Sequence, residues 1–266
     1  MPDPLRLNPD QSAAMFDLMR EMTLIESPTS DKASNDRLIT LVRKRFEALG
    51  ALVEIDPQSE FGNHLVARWP GEAKPGLVIG HVDTVWPTGT LDNMPYREEG
   101  GHIYGPGVLD MKAGIAATIG ALSMLRDSGD WPGRALTVLV NSDEEVGSPS
   151  SRPLVEAEAA RAAYTIVMEP GMGVALKTAR KGLGEFRLHI EGRASHAGAF
   201  PADGISAIEE IAHQVLRIQA LKDWDAGTTI NVGLIDGGSA RNTIPAEASA
   251  VIDVRVKTED EGRRVT

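Results

Sequence analysis

The run ALTVLVNS at residues 135–142 most restricts what this chain can become. It is almost wholly apolar and then turns polar within two residues. A strand covered on both faces reads that way, because neither set of alternating side chains meets water. Two shorter strand-like segments, GLVIG (76–80) and YTIVM (164–168), lie on either side of it. Helical patterns separate them: an apolar helix from about Met111 to Leu125 and a short helix near 151–162. Strands alternating with helices argue for an α/β fold with a mostly parallel central sheet flanked by helices.

Upstream, Asp10 is read as the cap of a first helix with Met15, Leu18, Met19 and Met22 on one stripe. A second helix is read from Asp31 to Leu49, with Leu38, Leu41, Val42 and Phe46 inward and Gly50 as its stop. ALVEI (51–55) and HLVARW (64–69) read as strands. After about residue 178 the pattern changes. GEFRLHIEG, TTINVGLIDGG and ASAVIDVRV alternate like half-exposed strands around a helix from Gly204 to Leu221, and Thr258 caps a last helix. This predicts a small α+β domain with an antiparallel sheet. The boundaries are 1–178 for the first domain and 179–266 for the second, which is left unfinished.

Clustered acids follow the strand-like runs. VIGHVDTVWP places His81 and Asp83 two residues apart, so in an extended chain they share a face. Asp110 ends GPGVLD, Glu144 and Glu145 follow the most apolar strand, and Glu169 follows the last one. In an open parallel sheet the loops beyond the strands' carboxyl ends form the ligand crevice. Each acid alone also suits a turn or a helix cap, and the Glu144–Glu145 pair also suits a solvated turn or lysine ion pairs. Taken together, one histidine and several carboxylates suit a zinc-like metal held by N and O ligands. The chain has no cysteine, which excludes thiolate ligands, disulfides and cysteine nucleophiles. Of two adjacent glutamates, one can bind metal while the other moves protons as a general base.

The net charge of −11, with no Lys/Arg cluster, argues against nucleic acid and anionic membrane surfaces as partners. No signal-peptide pattern and no membrane-spanning window is read, so a cytoplasmic protein is expected. Lys112 and Lys181 are assigned ion-pair or solvated roles, and Trp86 with Pro87 the rim of the pocket.

Six motifs, GHVDTV, GPGVLDMKAG, NSDEEVGS, the acid of MEP, RASHAG and GGSARNTIP, occur in an order and spacing that resembles the zinc aminoacylase/carboxypeptidase metallopeptidases. That family includes aminoacylases, acetylornithine deacetylase, succinyl-diaminopimelate desuccinylase and bacterial glutamate carboxypeptidases. The glutamate carboxypeptidase branch is the most similar, through MEP, SHAG and the spacing from RNTIP to DVR. The resemblance implies a zinc-exopeptidase-like catalytic domain carrying an inserted ferredoxin-like lid that makes a homodimer. It implies two Zn²⁺ per subunit, with Co²⁺ or Mn²⁺ as substitutes. His81 and Glu169 would bind one ion, Glu145 the other, and Asp110 would bridge them. Glu144 would be the general base and Asp83 the acid fixing the His81 ring. In the lid, His196 would stabilise the oxyanion in the partner subunit's site, and Asn242 and Arg255 would hold the substrate. Read without the family, His196 also suits an ordinary loop histidine and Arg255 a solvent-facing one.

The implied activity is cleavage of an amide beside a free carboxylate, releasing a C-terminal amino acid such as glutamate from a small peptide. An N-acyl amino acid deacylase is the second reading, and a non-catalytic binding relative the third. The family's last zinc-binding histidine lies beyond the lid, whereas no histidine follows His213 here. A longer protein is therefore expected, with these residues alone poorly soluble or inactive.

Overall fold

A computed structural model describes residues 6–129, 131, 133–171, 173 and 175–266. The chain divides into two compact units, Met1–Gly171 and Met172–Thr266, each described by itself.

The first unit opens with α1 (Pro9–Thr23) and α2 (Lys32–Ala48). The cap of α1 is Asn8 rather than Asp10. Its side chain accepts from the Gln11 N–H, the Gln11 side chain accepts from the Asn8 N–H, and Pro9 occupies the first turn. Asp10 sits one residue inside, where its charge suits the helix dipole. Asp31 caps α2 as read, and Gly50 leaves it with φ +84°, a conformation costly for any side chain.

Strands β1 (Leu52–Asp56), β2 (His64–Trp69) and β3 (Ala73–His81) follow, then the hairpin β4 (Arg97–Glu99) and β5 (His102–Tyr104). Helix α3 (Ala113–Ser128), β6 (Arg134–Asn141), α4 (Arg152–Arg161) and β7 (Tyr164–Val167) complete the unit. The sheet order is β1-β2-β6-β3-β7, with the ALTVLVN strand in the middle. β6, β3 and β7 run parallel, as the helical crossovers between them require. β1 and β2 add antiparallel, because the short connection between them can only reverse the chain, so the sheet is mixed.

Both faces of β6 are covered. On one side Leu38, Val42 and Phe46 of α2 and Ile115 of α3 pack against Leu65, Ala67, Val138 and Val140. Phe46 meets the Trp69 ring edge-on at 5.8 Å. On the other side Leu154 and Val155 of α4 cover Val66, Leu77 and Leu139. One helical run, Val108–Ser128, is long and apolar enough by length and composition to cross a membrane, contrary to the expectation of no such window. Half of that window is buried within the unit, where it supplies Ile115, Ala116 and Leu122 to the core.

The second unit contains β8 (Gly182–Glu191), β9 (Ser195–His196), α5 (Ala207–Gln219), β10 (Thr229–Gly237), β11 (Thr243–Ile244), β12 (Glu247–Val256) and α6 (Glu259–Val265). β10-β12-β8 form an antiparallel sheet, and β9 pairs with β11. Helix α5 starts at Ala207 because the Ser206 side chain caps it, and it buries Ala207 and Ile211 against Ala248, Ala250, Leu188 and Ile190. Thr258 caps α6.

Candidate metal centre

The three parallel strands deliver the candidate residues to one edge. His81 is the last residue of β3 and pairs in register with Asn141, the last of β6. The Val82 N–H donates to the Asn141 carbonyl, and the Met168 N–H to the Ile79 carbonyl. The loops carrying His81, Glu144–Glu145 and Glu169 therefore leave neighbouring strands side by side. Asp110 enters from the turn before α3, which Gly107 opens in the left-handed region at φ +70°. A Cβ on Gly107 would lie 2.4 Å from the Thr84 side chain, so glycine alone suits that approach.

Ligating atoms of His81, Asp110 and Glu169 lie within 4.8 Å of one another. His81 Nε2 is 3.2 Å from Asp110 Oδ1, 3.3 Å from Glu169 Oε1 and 3.8 Å from Glu144 Oε2. The ring's other nitrogen is 2.9 Å from the Asp83 carbonyl oxygen. A carbonyl only accepts, so Nδ1 carries a proton and Nε2 is the atom turned to the carboxylates.

Asp83 is fully buried and does more than stand behind the ring. Its Oδ2 accepts from the Thr29 hydroxyl at 2.8 Å and the Glu145 N–H at 3.1 Å. Its Oδ1 accepts from the Glu144 N–H at 3.2 Å and lies 3.3 Å from His81 Nδ1. One carboxylate thus ties the ring, the Glu144–Glu145 backbone and the Thr29 turn together. Sequence reading named Asp83 but missed Thr29, which carries no motif signal.

The charges are crowded. Burial raises the carboxyl of Asp110, with Glu169 adding to it, although the two are opposed by His81. Burial raises Glu144 as well, and takes Glu145 to about 6, with Asp110 and the neighbouring Glu144 reinforcing it. Burial pushes the His81 imidazolium down. Hydrogen bonds to Asp83 and Glu169 and the charge of Glu144 outweigh it, and the ring rises to about 11.

Behind the Glu144–Glu145 loop, Asp143 Oδ2 accepts from the Ser150 N–H, the Ser150 hydroxyl and the Ser151 N–H at 2.7, 2.8 and 3.0 Å. That hydroxyl's only hydrogen is so used, and it accepts from His64 Nε2 at 2.9 Å. Burial lowers His64, against the pull of Asp143. The sign follows: the unfolded chain binds this proton more tightly, so stability is full above the unfolded value of 6.5 and falls as pH drops below it. Between pH 7.5 and 5, the thermal midpoint of the wild type is expected to fall relative to that of His64→Gln, because only the wild type carries this proton-linked loss.

In the second unit, His196 and Asn242 meet across the β9–β11 ladder: His196 pairs with Thr243, and the Ala197 N–H donates to the Asn242 carbonyl. His196 Nδ1 accepts from the Gly198 and Ala199 N–H groups at 3.1 and 3.0 Å. Its proton therefore sits on Nε2, a tautomer the sequence did not reveal. Arg255 lies on β12, its Nε shared between both Asp253 oxygens at 3.1 and 3.2 Å.

Lys112, expected to be ion-paired or solvated, is buried on a backbone carbonyl instead. It is 1% exposed, donates to the Ile25 carbonyl at 2.9 Å, and burial takes it down to about 8. Lys181 donates to the Gly227 carbonyl. Trp86 is partly exposed, and Pro87 lines a groove beside Glu145.

Residues 64–196 match "Peptidase family M28", and residues 178–266 match the M20 "Peptidase dimerisation domain". Carboxypeptidase G2 of Pseudomonas sp. (strain RS-16) is 32% identical over 92% of this chain and 60% of its own length. Acetylornithine deacetylase of Myxococcus xanthus is 31% identical over 87% of this chain and 64% of its own. The chain thus spans about three fifths of the length of these curated relatives. In fold, it is similar to a tripeptidase of Staphylococcus aureus, with a TM-score of 0.80, 22% identity and coverage of 97% of this chain and 69% of that one.

Proposed function

The chain belongs to the M20 peptidase family, and from that premise we propose that it is a dinuclear-metal amidohydrolase. The observation that carries this reading is the convergence of His81 Nε2, Asp110 and Glu169 within ligating distance, with Glu144 and Glu145 on the adjoining loop. The donors fit a divalent ion: one imidazole nitrogen, Nε2, turned to the carboxylates, carboxylate oxygens, and crowded acids whose pKa values are raised. His81 and Glu169 would hold one ion, Glu145 the other, and Asp110 would bridge them. Zn²⁺ is the proposed metal, with Co²⁺ or Mn²⁺ as substitutes.

A bound divalent ion supplies Lewis acidity, polarising the amide carbonyl and acidifying water beside it. Glu144 takes the proton of the attacking water and passes it to the leaving amine. Its raised pKa suits a group that must first accept and then donate. Asp83 holds the His81 ring and the Glu144 backbone in place. His196, with Nε2–H available to donate, stabilises the oxyanion in a partner subunit's site, while Asn242 and Arg255 hold the substrate, the guanidinium pairing its carboxylate. Catalysis is assigned to the first domain and homodimer formation to the second, in a cytoplasmic protein.

The proposed reaction releases a C-terminal amino acid from a peptide or N-acyl compound, glutamate among the candidates; carboxypeptidase activity is what the name of the Pseudomonas relative states of that protein. N-acyl amino acid deacylation is the second reading, favoured by the name of the Myxococcus relative. Metal analysis of the full-length protein, with hydrolysis rates on γ-glutamyl and folate-like substrates against N-acetyl and N-succinyl amino acids, separates the two. The expected result is about two metal ions per subunit and chelator-sensitive hydrolysis. Unchanged rates after metal removal would sink the reading.

A further inference from the structure

Beside the metal centre runs an open groove of about 450 Å³. One wall is the turn from Pro28 to Asp31, the other the loop from Thr84 to Thr88, and Glu145 and Val146 close the end nearest the carboxylate cluster. Both walls are fixed. The Thr84 N–H donates to the Ser27 carbonyl at 2.8 Å, and the Gly89 and Leu91 N–H groups donate to the Glu26 carboxylate at 2.8 Å each.

The lining has a definite chemistry. It contains two acids, Asp31 and Glu145, and no lysine, arginine or histidine. The Ser34 hydroxyl and N–H hold the Asp31 carboxyl below its ordinary range, so it is charged at neutral pH. The Thr29 hydroxyl has given its hydrogen to Asp83 and offers only lone pairs. Val85 and Val146 are 66% and 55% exposed, so apolar surface stands open along an acceptor-rich channel.

Resting on the amidohydrolase reading above, we propose that this groove receives the substrate's acyl group, on the carbonyl side of the scissile amide. It selects an uncharged, partly apolar acyl group against one bearing a carboxylate. Glu145 joins the groove to the proposed metal centre, so a carbonyl placed for attack there continues into the groove. A carboxylate in the groove would face the Asp31 charge with no lysine, arginine or histidine on the lining to pair it, and an unpaired anion partly out of water is costly. An apolar group instead covers Val85, Pro87 and Val146.

The test uses zinc-loaded full-length protein and N-acyl derivatives of one amino acid, so that the leaving half stays constant. Isobutyryl substrates are expected to exceed succinyl ones in kcat/KM by about tenfold or more. Thr88→Lys, which adds a cation to the wall, is expected to shrink that ratio about tenfold, mainly by raising succinyl turnover. A wild-type preference for succinyl, or an unchanged ratio in Thr88→Lys, overturns the assignment. Binding is read apart from turnover by following the Val85 and Val146 methyl signals in NMR titrations with butyramide and its anionic analogue succinamate. Saturable shifts with butyramide alone support the groove; equal shifts with both, or none with either, overturn it. Loss of all hydrolysis with butyramide shifts intact would instead overturn the proposed reaction.

Discussion

Glu144→Gln in the full-length protein is expected to lower kcat by about a thousandfold, roughly 4 kcal/mol in barrier, while KM and metal content stay close to wild type. The amide keeps the shape and the Glu144 N–H bond to Asp83, so the backbone of the loop has no reason to move. What it removes is a group that can take a proton and give it back. Glu144 suits that task better than its neighbours. It is the carboxylate 3.8 Å from His81 Nε2, farther than Asp110 and Glu169, near enough to serve the site without being its closest donor. It is partly exposed at 43%, so water can reach it, whereas Glu169 is 15% exposed. Glu145→Gln provides the contrast: it is expected to lower metal content as well as kcat. Steady-state kinetics with metal analysis on both variants separates the roles, and near-normal turnover in Glu144→Gln would refute the base assignment.

Much of this arrangement was legible because strands announce themselves by what they must hide. ALTVLVN is the central strand because only a doubly covered strand can dispense with polar residues, and His81, Glu144 and Glu169 follow from where parallel strands end. What escaped the sequence was decided by contacts between distant segments. The α1 cap moved from Asp10 to Asn8 because a reciprocal pair with Gln11 outcompetes a lone acid, and both residue types favour caps. Lys112 was read as ion-paired or solvated because a lysine beside an acid usually is one or the other. Its burial depends on the Ile25 carbonyl, 87 residues away, which no local pattern reveals. Thr29 was missed for the same reason, since its value comes entirely from where Asp83 lies. The Val108–Ser128 run shows the converse error, in which a core helix carries a membrane-like composition that only its packing explains.

The geometry of Asp83 leads to the second large effect. Asp83→Asn is expected to weaken metal binding by about 10–100-fold and to lower stability measurably, even though the side chain barely changes in size. The reason lies in counting donors. Oδ1 accepts from the Glu144 N–H and faces His81 Nδ1–H, while Oδ2 accepts from the Glu145 N–H and the Thr29 hydroxyl. An amide offers one oxygen and one NH₂ group. Placing the NH₂ at either position sets it against a backbone N–H that has nowhere else to donate, because the residue is 0% exposed. The Thr29 hydroxyl can rotate to accept, but the Glu144 and Glu145 N–H groups cannot. One buried donor is then left unsatisfied, at about 1–3 kcal/mol, and the loop carrying both glutamates must shift to relieve it. Thr29→Val removes a single donor from the same carboxylate, leaving both backbone bonds in place, and is expected to cost far less. Isothermal titration with zinc and thermal melts of the two variants check this ordering. Asp83→Asn matching wild type in both measurements would show that the carboxylate does not hold the site together.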